Sequence, residues 1–199
     1  DAAYAAFPVD RRLDPQNFRP FARNPETMAR NWPVPGMEGL MHRIGGLEKN
    51  YDTGHVSQDP ANHQRMTDVR HQKIAGIADH LPEQSIDSGP PTGRLAILGW
   101  GSTWGSIRVA VRRAQAQGLE VTHIHLRHIN PLPRNLKNLL DGFETVLVPE
   151  LNTGQLVALL RARLGGEYSQ LNKVTGQPFK VGEITTAIHN ALDEKGGRT

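Results

Sequence analysis

No cysteine occurs among the 199 residues. Disulfides, thiolate nucleophiles and cysteine-ligated zinc or iron–sulfur centres are therefore excluded within this polypeptide. Aromatic residues are scarce at 6%, and 23 Lys and Arg are nearly offset by 20 Asp and Glu, leaving a net charge of +3. A nucleic-acid protein concentrates its basic residues in a stripe with interleaved aromatics, so no nucleic-acid partner is expected. No apolar run is long enough to span a membrane and no signal-peptide pattern is present. The expectation is a cytoplasmic protein with no membrane partner. A nucleophile elbow, a Walker loop, an HExxH pair and an EF-hand loop are also missing.

Glycine and proline, by contrast, are plentiful at 20 and 14 residues, and the apolar share of 37% is low for a compact globule. Part of the chain must be irregular. Prolines at 8, 15, 20, 25, 33 and 35 interrupt every candidate element in residues 1–36. That arm needs another surface to lie on, and in an isolated chain it would be largely disordered. The chain opens on Asp1 rather than methionine, as a processed protein or a piece of something longer would. Residues 40–44 suggest a weak strand. Asp59-Pro60 supplies a cap and an N1 proline for a helix with Met66, Val69, Ile74, Ile77 and Leu81 on its apolar side, ended by Pro82. Residues 83–93, EQSIDSGPPTG, read as a linker. The expected organisation is an extended arm over 1–60, a helix and linker over 61–92, and an α/β domain over 93–199.

Residues 94–118, RLAILGWGSTWGSIRVAVRRAQAQG, organise that domain. A short apolar run fit for a doubly buried strand breaks into GWGSTWG, where Gly99, Gly101 and Gly105 allow a tight turn and Ser102 or Thr103 can cap a helix. Ile107, Ala110, Val111 and Ala114 follow at helical spacing, and Gly118 offers the stop. Strands over 119–128, 144–149 and 168–174 alternate with helices over 135–143, 154–164 and 181–192. This alternation argues for a small, three-layer, mainly parallel sheet of about four strands. Ligands of such sheets gather at the strand carboxyl ends, where the glycine turn lies.

The turn departs from a dinucleotide fingerprint, because its third glycine, Gly105, falls one residue late. The following strand ends in Arg127 and His128 rather than in an acidic residue. An arginine there suits a 2′-phosphate, so an NADP-binding module stays open beside a turn that serves only packing. His123 and His125 share one strand face, compatible with a metal pair or with packed histidines. Arg108, Arg112, Arg113, Arg127, Arg134 and Lys137 suit either a solvated face or a docking patch for an acidic partner or a CoA phosphate. A non-enzymatic scaffold that grips another protein with the proline-rich arm is the third reading.

Longer phrases carry more. GWGSTWGSIRVAVRRAQAQG, HLRHINPLPRNL, VLVPELNTGQLVALLRARL and LNKVTGQPFKVGEI, preceded by GLMHRIGGLEKNYDTGHVSQDPANHQRM, resemble the C-terminal portion of 2-oxoacid:ferredoxin oxidoreductase α-subunits. The GQPF of Gly176 to Phe179 points to the 2-oxoglutarate branch. The resemblance implies a transketolase C-terminal-like fold, and oxidative decarboxylation of 2-oxoglutarate with CoA to succinyl-CoA and CO2, electrons passing to ferredoxin. It implies thiamine diphosphate, Mg2+ and an iron–sulfur cluster held elsewhere: no GDG…N thiamine motif and no cysteine occur here. The expected partners are the β-subunit, the remainder of the α-subunit and ferredoxin. The chain alone would be inactive, with no catalytic residue of its own. Gly101, Ser102, Thr103 and Gly105, with Asn172, Lys173, Gly176 and Gln177, would face CoA or a partner. His42 and Arg43 would approach the substrate carboxylate or pack in an interface.

Overall fold

The computed structural model describes residues 13–196, with side chains through Asp193. Pro8 of the arm and the end of the polar tail lie outside the described residues. The chain divides into a first unit ending at His80 and a second beginning at Leu81.

In the first unit, residues 13–58 form turns and irregular chain, whose β-pairing among the described residues is limited to the isolated bridges Arg23 to Arg30 and Lys49 to Val56. The strand expected over 40–44 is absent, since no neighbouring segment lies in register to pair with it. Helix α1, Pro60–Gly76, begins as its sequence demands: the Asp59 carboxylate accepts from the Ala61 amide at 3.0 Å, and Pro60 occupies the first turn. Asn62 fastens α1 to the loop before it. Its amide donates to the Lys49 carbonyl and its oxygen accepts from the Tyr51 amide, both at 2.9 Å. Met66 and Val69 are buried, but Ile74 and Ile77 are not. The apolar side is therefore shorter than its spacing suggests, because the loop covers only the first turns of α1. The α-helix also stops before Pro82, passing into a 3-10 turn over Ile77–His80.

The second unit is a five-stranded sheet in the order β1-β3-β2-β4-β5. Its strands are β1 (Ile86–Ser88), β2 (Gly93–Trp100), β3 (Val121–Leu126), β4 (Phe143–Glu150) and β5 (Ser169–Asn172). β2, β3, β4 and β5 pair in parallel, Leu95 standing opposite Val121 and Thr145. β1 joins the edge antiparallel to β3. It lies inside the stretch expected to be a linker and brings the strands to five rather than four.

Helices α2 (Trp104–Ala116) and α5 (Val181–Gly196) cover one face of the sheet. α3 (Leu136–Leu140) and α4 (Gln155–Leu164) cover the other. Side chains alternate along a strand, so β2 divides its apolar residues between the two layers. Leu95 and Ile97 pack with Ile107, Ala110, Val111, Ile184 and Ile188, while Ala96 and Leu98 pack with Leu136, Leu156, Val157 and Leu160. This is the expected three-layer α/β architecture. Among the described residues no helix is long and apolar enough to cross a membrane.

Candidate functional site

The chain leaves β2 at the sheet centre, moves to β3 on one side and then to β4 on the other. The carboxyl ends of β2 and β4 thus flank the point where the winding reverses, the usual place for a ligand crevice. The glycine turn sits there.

Its three glycines do different work. A Cβ on Gly99 would lie 2.5 Å from Ile107 Cδ1 and 3.0 Å from both His125 Nδ1 and Thr103 Oγ1, so the strand end and α2 can approach only at glycine. Gly101 has φ +56°, where side chains are rarely accommodated. Gly105 meets nothing and has no left-handed backbone; it lies inside α2. The close approach that a dinucleotide fingerprint assigns to its last glycine is made here by Gly99 instead. Thr103 is buried and closes the turn on itself: its hydroxyl donates to the Trp100 carbonyl at 2.8 Å and accepts from the Trp100 amide at 3.2 Å. It does not cap α2 with its side chain. Ser102 is exposed.

Beside the turn, Gly101, Trp104, His125, Leu126 and Arg127 line an open groove of about 530 Å³. The Trp104 indole is fixed there, donating to the Asp87 carboxylate at 3.2 Å, with the Arg108 guanidinium 4.6 Å from its ring centre. His123 is fully buried and His125 half-buried, their rings edge to face with centres 5.8 Å apart. Neither ring nitrogen of His123 has a hydrogen-bond partner. Burial pushes its pKa down to about 4, against the opposing pull of Asp87. Burial also lowers that of His125, while Asp87 and the Gly101 backbone oppose the shift. Both are neutral at pH 7. Among the described residues no three His, Asp or Glu side chains converge as a metal set. The pair belongs to the packing between β3 and α2.

Asn172, Lys173, Gly176 and Gln177 lie where β5 ends, at the same carboxyl edge. Lys173 donates to both Glu183 carboxylate oxygens at 2.9 Å and to the Pro178 carbonyl at 3.1 Å, which folds residues 173–180 against the start of α5. The Lys173 ammonium, followed by the Lys180 amide, draws the Glu183 pKa below its ordinary value. Asn172 bonds its neighbour Gln170 at 2.8 Å, and Gly176 (φ +70°) and Gln177 form an exposed tip. The Ser106 hydroxyl donates to the Phe179 carbonyl at 2.7 Å, tying α2 to this segment. None of these four residues lines the groove at the turn.

Composition and periodicity did not single out Glu150, at the end of β4. Its buried carboxylate accepts from the Leu156 and Val157 amides at 2.8 and 3.2 Å and from the Asn152 side chain at 3.2 Å. It satisfies the orphan donors at the start of α4. Asn152 adds bonds from the Gly154 and Gln155 amides at 2.8 and 2.9 Å. The NTG that follows Glu150 is the local signal.

His42 and Arg43 belong to the first unit. There Arg43 is exposed, and the His42 ring stacks edge-on to Phe18 with its Nδ1 2.9 Å from the Leu40 oxygen.

Glu150 and Thr103 thus serve the start of α4 and the glycine turn. Comparison with known proteins adds what this chain is similar to. Residues 94–184 match the model of the pyruvate:ferredoxin oxidoreductase core domain II. The chain is 43% identical over 175 residues to the 2-oxoglutarate oxidoreductase subunit KorA of Mycobacterium tuberculosis, covering 88% of this chain and 26% of that subunit. The likeness is to one portion of such a subunit. The 2-oxoacid:ferredoxin oxidoreductase 2 α-subunit of Aeropyrum pernix is 29% identical over 155 residues, covering 75% of this chain and 24% of the relative. The chain thus spans about a quarter of the length of these curated relatives. Its fold matches a solved 2-oxoglutarate:ferredoxin oxidoreductase from Magnetococcus marinus with a TM-score of 0.79 and 25% identity, over 88% of this chain and 31% of that one. That structure carries 2-oxoglutarate, coenzyme A and succinyl-CoA.

Proposed function

We propose that this chain is the C-terminal structural and assembly portion of the α-subunit of a cytoplasmic, thiamine diphosphate-dependent 2-oxoglutarate:ferredoxin oxidoreductase. The enzyme converts 2-oxoglutarate and CoA to succinyl-CoA and CO2 and passes electrons to ferredoxin. The observation that carries this is the 43% identity to the KorA subunit, over a sheet in which Glu150 and Thr103 are spent on the start of α4 and on the glycine turn. The residues present do not fit thiamine diphosphate with Mg2+, or an iron–sulfur cluster: no thiolate exists and no acidic or imidazole set converges among the described residues. Those groups belong to the β-subunit and to the rest of the α-subunit, and no chemical step runs through this chain.

In this reading the exposed turn residues Gly101, Ser102 and Gly105, and the exposed tip at Asn172, Gly176 and Gln177, face the partner subunit or the CoA path. Thr103 and Lys173 hold those segments in shape, and His42 and Arg43 pack in an interface of the first unit. The test is an assay of CoA-dependent 2-oxoglutarate oxidation. The full-length α-subunit with β-subunit turns over, whereas this chain with β-subunit does not. Turnover by the latter pair would overturn the reading.

The groove beside Arg127 favours one alternative, an NADP- or nucleotide-binding module with phosphates at Gly101. Titration with NADP, CoA and ATP, followed by Trp100 and Trp104 fluorescence, separates the two. A saturable response abolished by Gly101→Val supports the module, and silence at millimolar ligand ends it.

A further inference from the structure

The first unit holds a cleft that its described residues leave open. The side chains of Arg23, Arg30, Lys49, Arg70 and Lys73 line a cavity of about 760 Å³, and the one carboxylate among its lining residues is Glu48. Glu48 is already spent: Arg70 donates to both its oxygens at 3.1 and 3.0 Å, and His63 Nδ1 lies at 2.9 Å. Lys49 is spent on the Gly45 and Leu47 carbonyls. Arg23 gives one bond to the Met28 carbonyl, but its buried Nε has no partner. Arg30 lies over the Phe21 ring at 4.6 Å, and Lys73 makes no ion pair within the described residues. Desolvation, and then repulsion from Arg30, lower the Arg23 pKa, so the cations are close enough to oppose one another. They are cations awaiting carboxylates.

The walls of the cleft are apolar. Ile44 and Leu47 are 64% and 66% exposed, and Ile74 stands beside them. Among the described residues, eight of the eleven exposed large hydrophobic side chains lie before His80, Trp32 and Met41 among them. A small phosphate ligand has no use for aliphatic walls of this extent. A polypeptide surface with carboxylates set among apolar side chains uses both.

We infer that this cleft is a docking surface for an acidic, apolar segment of the remainder of the α-subunit. The inference rests on the chain being one portion of that subunit, the KorA relative being more than three times as long. Carboxylates of that segment meet Arg23, Arg30 and Lys73, and its apolar side chains cover Ile44, Leu47 and Ile74.

The experiment is zero-length carbodiimide coupling in the full-length α-subunit, with and without β-subunit, read by peptide mass spectrometry. Lys73 is expected to couple to an aspartate or glutamate of the remaining α-polypeptide whether or not β-subunit is present. The yield should fall at least fivefold in an Arg23→Glu/Arg30→Glu variant. An Ile44→Asp/Leu47→Asp variant, altered only at exposed positions, should also lower it while the helix content of this 199-residue chain stays unchanged. Lys73 products that end only in the β-subunit, or none at all while Lys137 couples to Asp141, would overturn the inference. So would saturable binding of inorganic pyrophosphate to this chain below millimolar concentration, which would make the cleft a small-anion site. These readouts do not depend on turnover: an inactive enzyme would count against the proposed function, and a wrong coupling product against this surface.

Discussion

The two units of this chain solve the folding problem by opposite means. The second places thirteen and twelve buried residues in two apolar clusters, one on each face of its sheet, and satisfies its buried backbone with strands, helices and caps. Among the described residues the first has no cluster of that kind. It relies on Asn62, a Glu48–Arg70–His63 network, Arg65 stacked 3.6 Å over Tyr51, and Asx-type turns at Asp14, Asn24 and Asn50. Surface ion pairs contribute about 0–1 kcal/mol each, whereas one buried aliphatic side chain contributes about 1.5–3 kcal/mol. On these magnitudes the second unit should hold its fold by itself, whereas the first leaves apolar side chains such as Ile44 and Leu47 in water.

Core truncation breaks the contrast most strongly. Leu98→Ala in the second unit should cost about 2–5 kcal/mol in denaturant unfolding followed by Trp100 and Trp104 fluorescence. Ile44→Ala in the first should change the stability of the isolated chain by less than about 0.5 kcal/mol.

The next effect is pH dependence. His123 is neutral in the folded second unit, with its pKa lowered to about 4 from 6.5. Between these values the unfolded chain binds the extra proton, so folding loses up to about 1.4 kcal/mol per pH unit as pH falls from 6.5 towards 4. His125 acts in the same direction, and Asp87, Arg108 and Arg127 are the charged groups that modulate the pair. His123→Leu should flatten, without abolishing, that slope in thermal melts from pH 7 to 4. Glu48 in the first unit has the opposite character: Arg70, and then His63, hold its carboxyl down to about 2. Its contribution is complete above pH 4.5 and fades only as pH falls towards 2.

Smaller effects sharpen the comparison. Glu150→Ala leaves the amides at the start of α4 without their acceptor and should cost about 1–3 kcal/mol in the same unfolding assay. Glu48→Gln should cost about 1 kcal/mol or less, and that difference should vanish at high salt, because the network is near the surface.

The legibility of the two units in the sequence differs for the same reason. Runs such as LAIL and VLV, alternating with helical spacing at Ile107, Ala110, Val111 and Ala114, announce a doubly covered parallel sheet because burial on both faces imposes that pattern. β1 escaped notice because three residues in a Gly- and Pro-rich stretch become a strand only when β3 offers an edge. Glu150 escaped because its role depends on where α4 begins in space. Gly99 and Gly105 exchange the expected roles through the approach of Ile107, a contact that spacing alone does not reveal. In the first unit the cap at Asp59 was legible, being local chemistry, while the length of α1's buried side was not. That length depends on the covering loop, and Ile74 and Ile77 present the same pattern whether covered or bare.

Hydrogen–deuterium exchange along this chain, with a parallel measurement on the full-length α-subunit, addresses the division directly. In the isolated chain the amides of β2, β3, β4, α2 and α5 should exchange slowly and cooperatively, while those of residues 13–56 exchange orders of magnitude faster. In the full-length subunit residues 13–56 should gain protection. Equal protection of both units in the isolated chain would contradict the account.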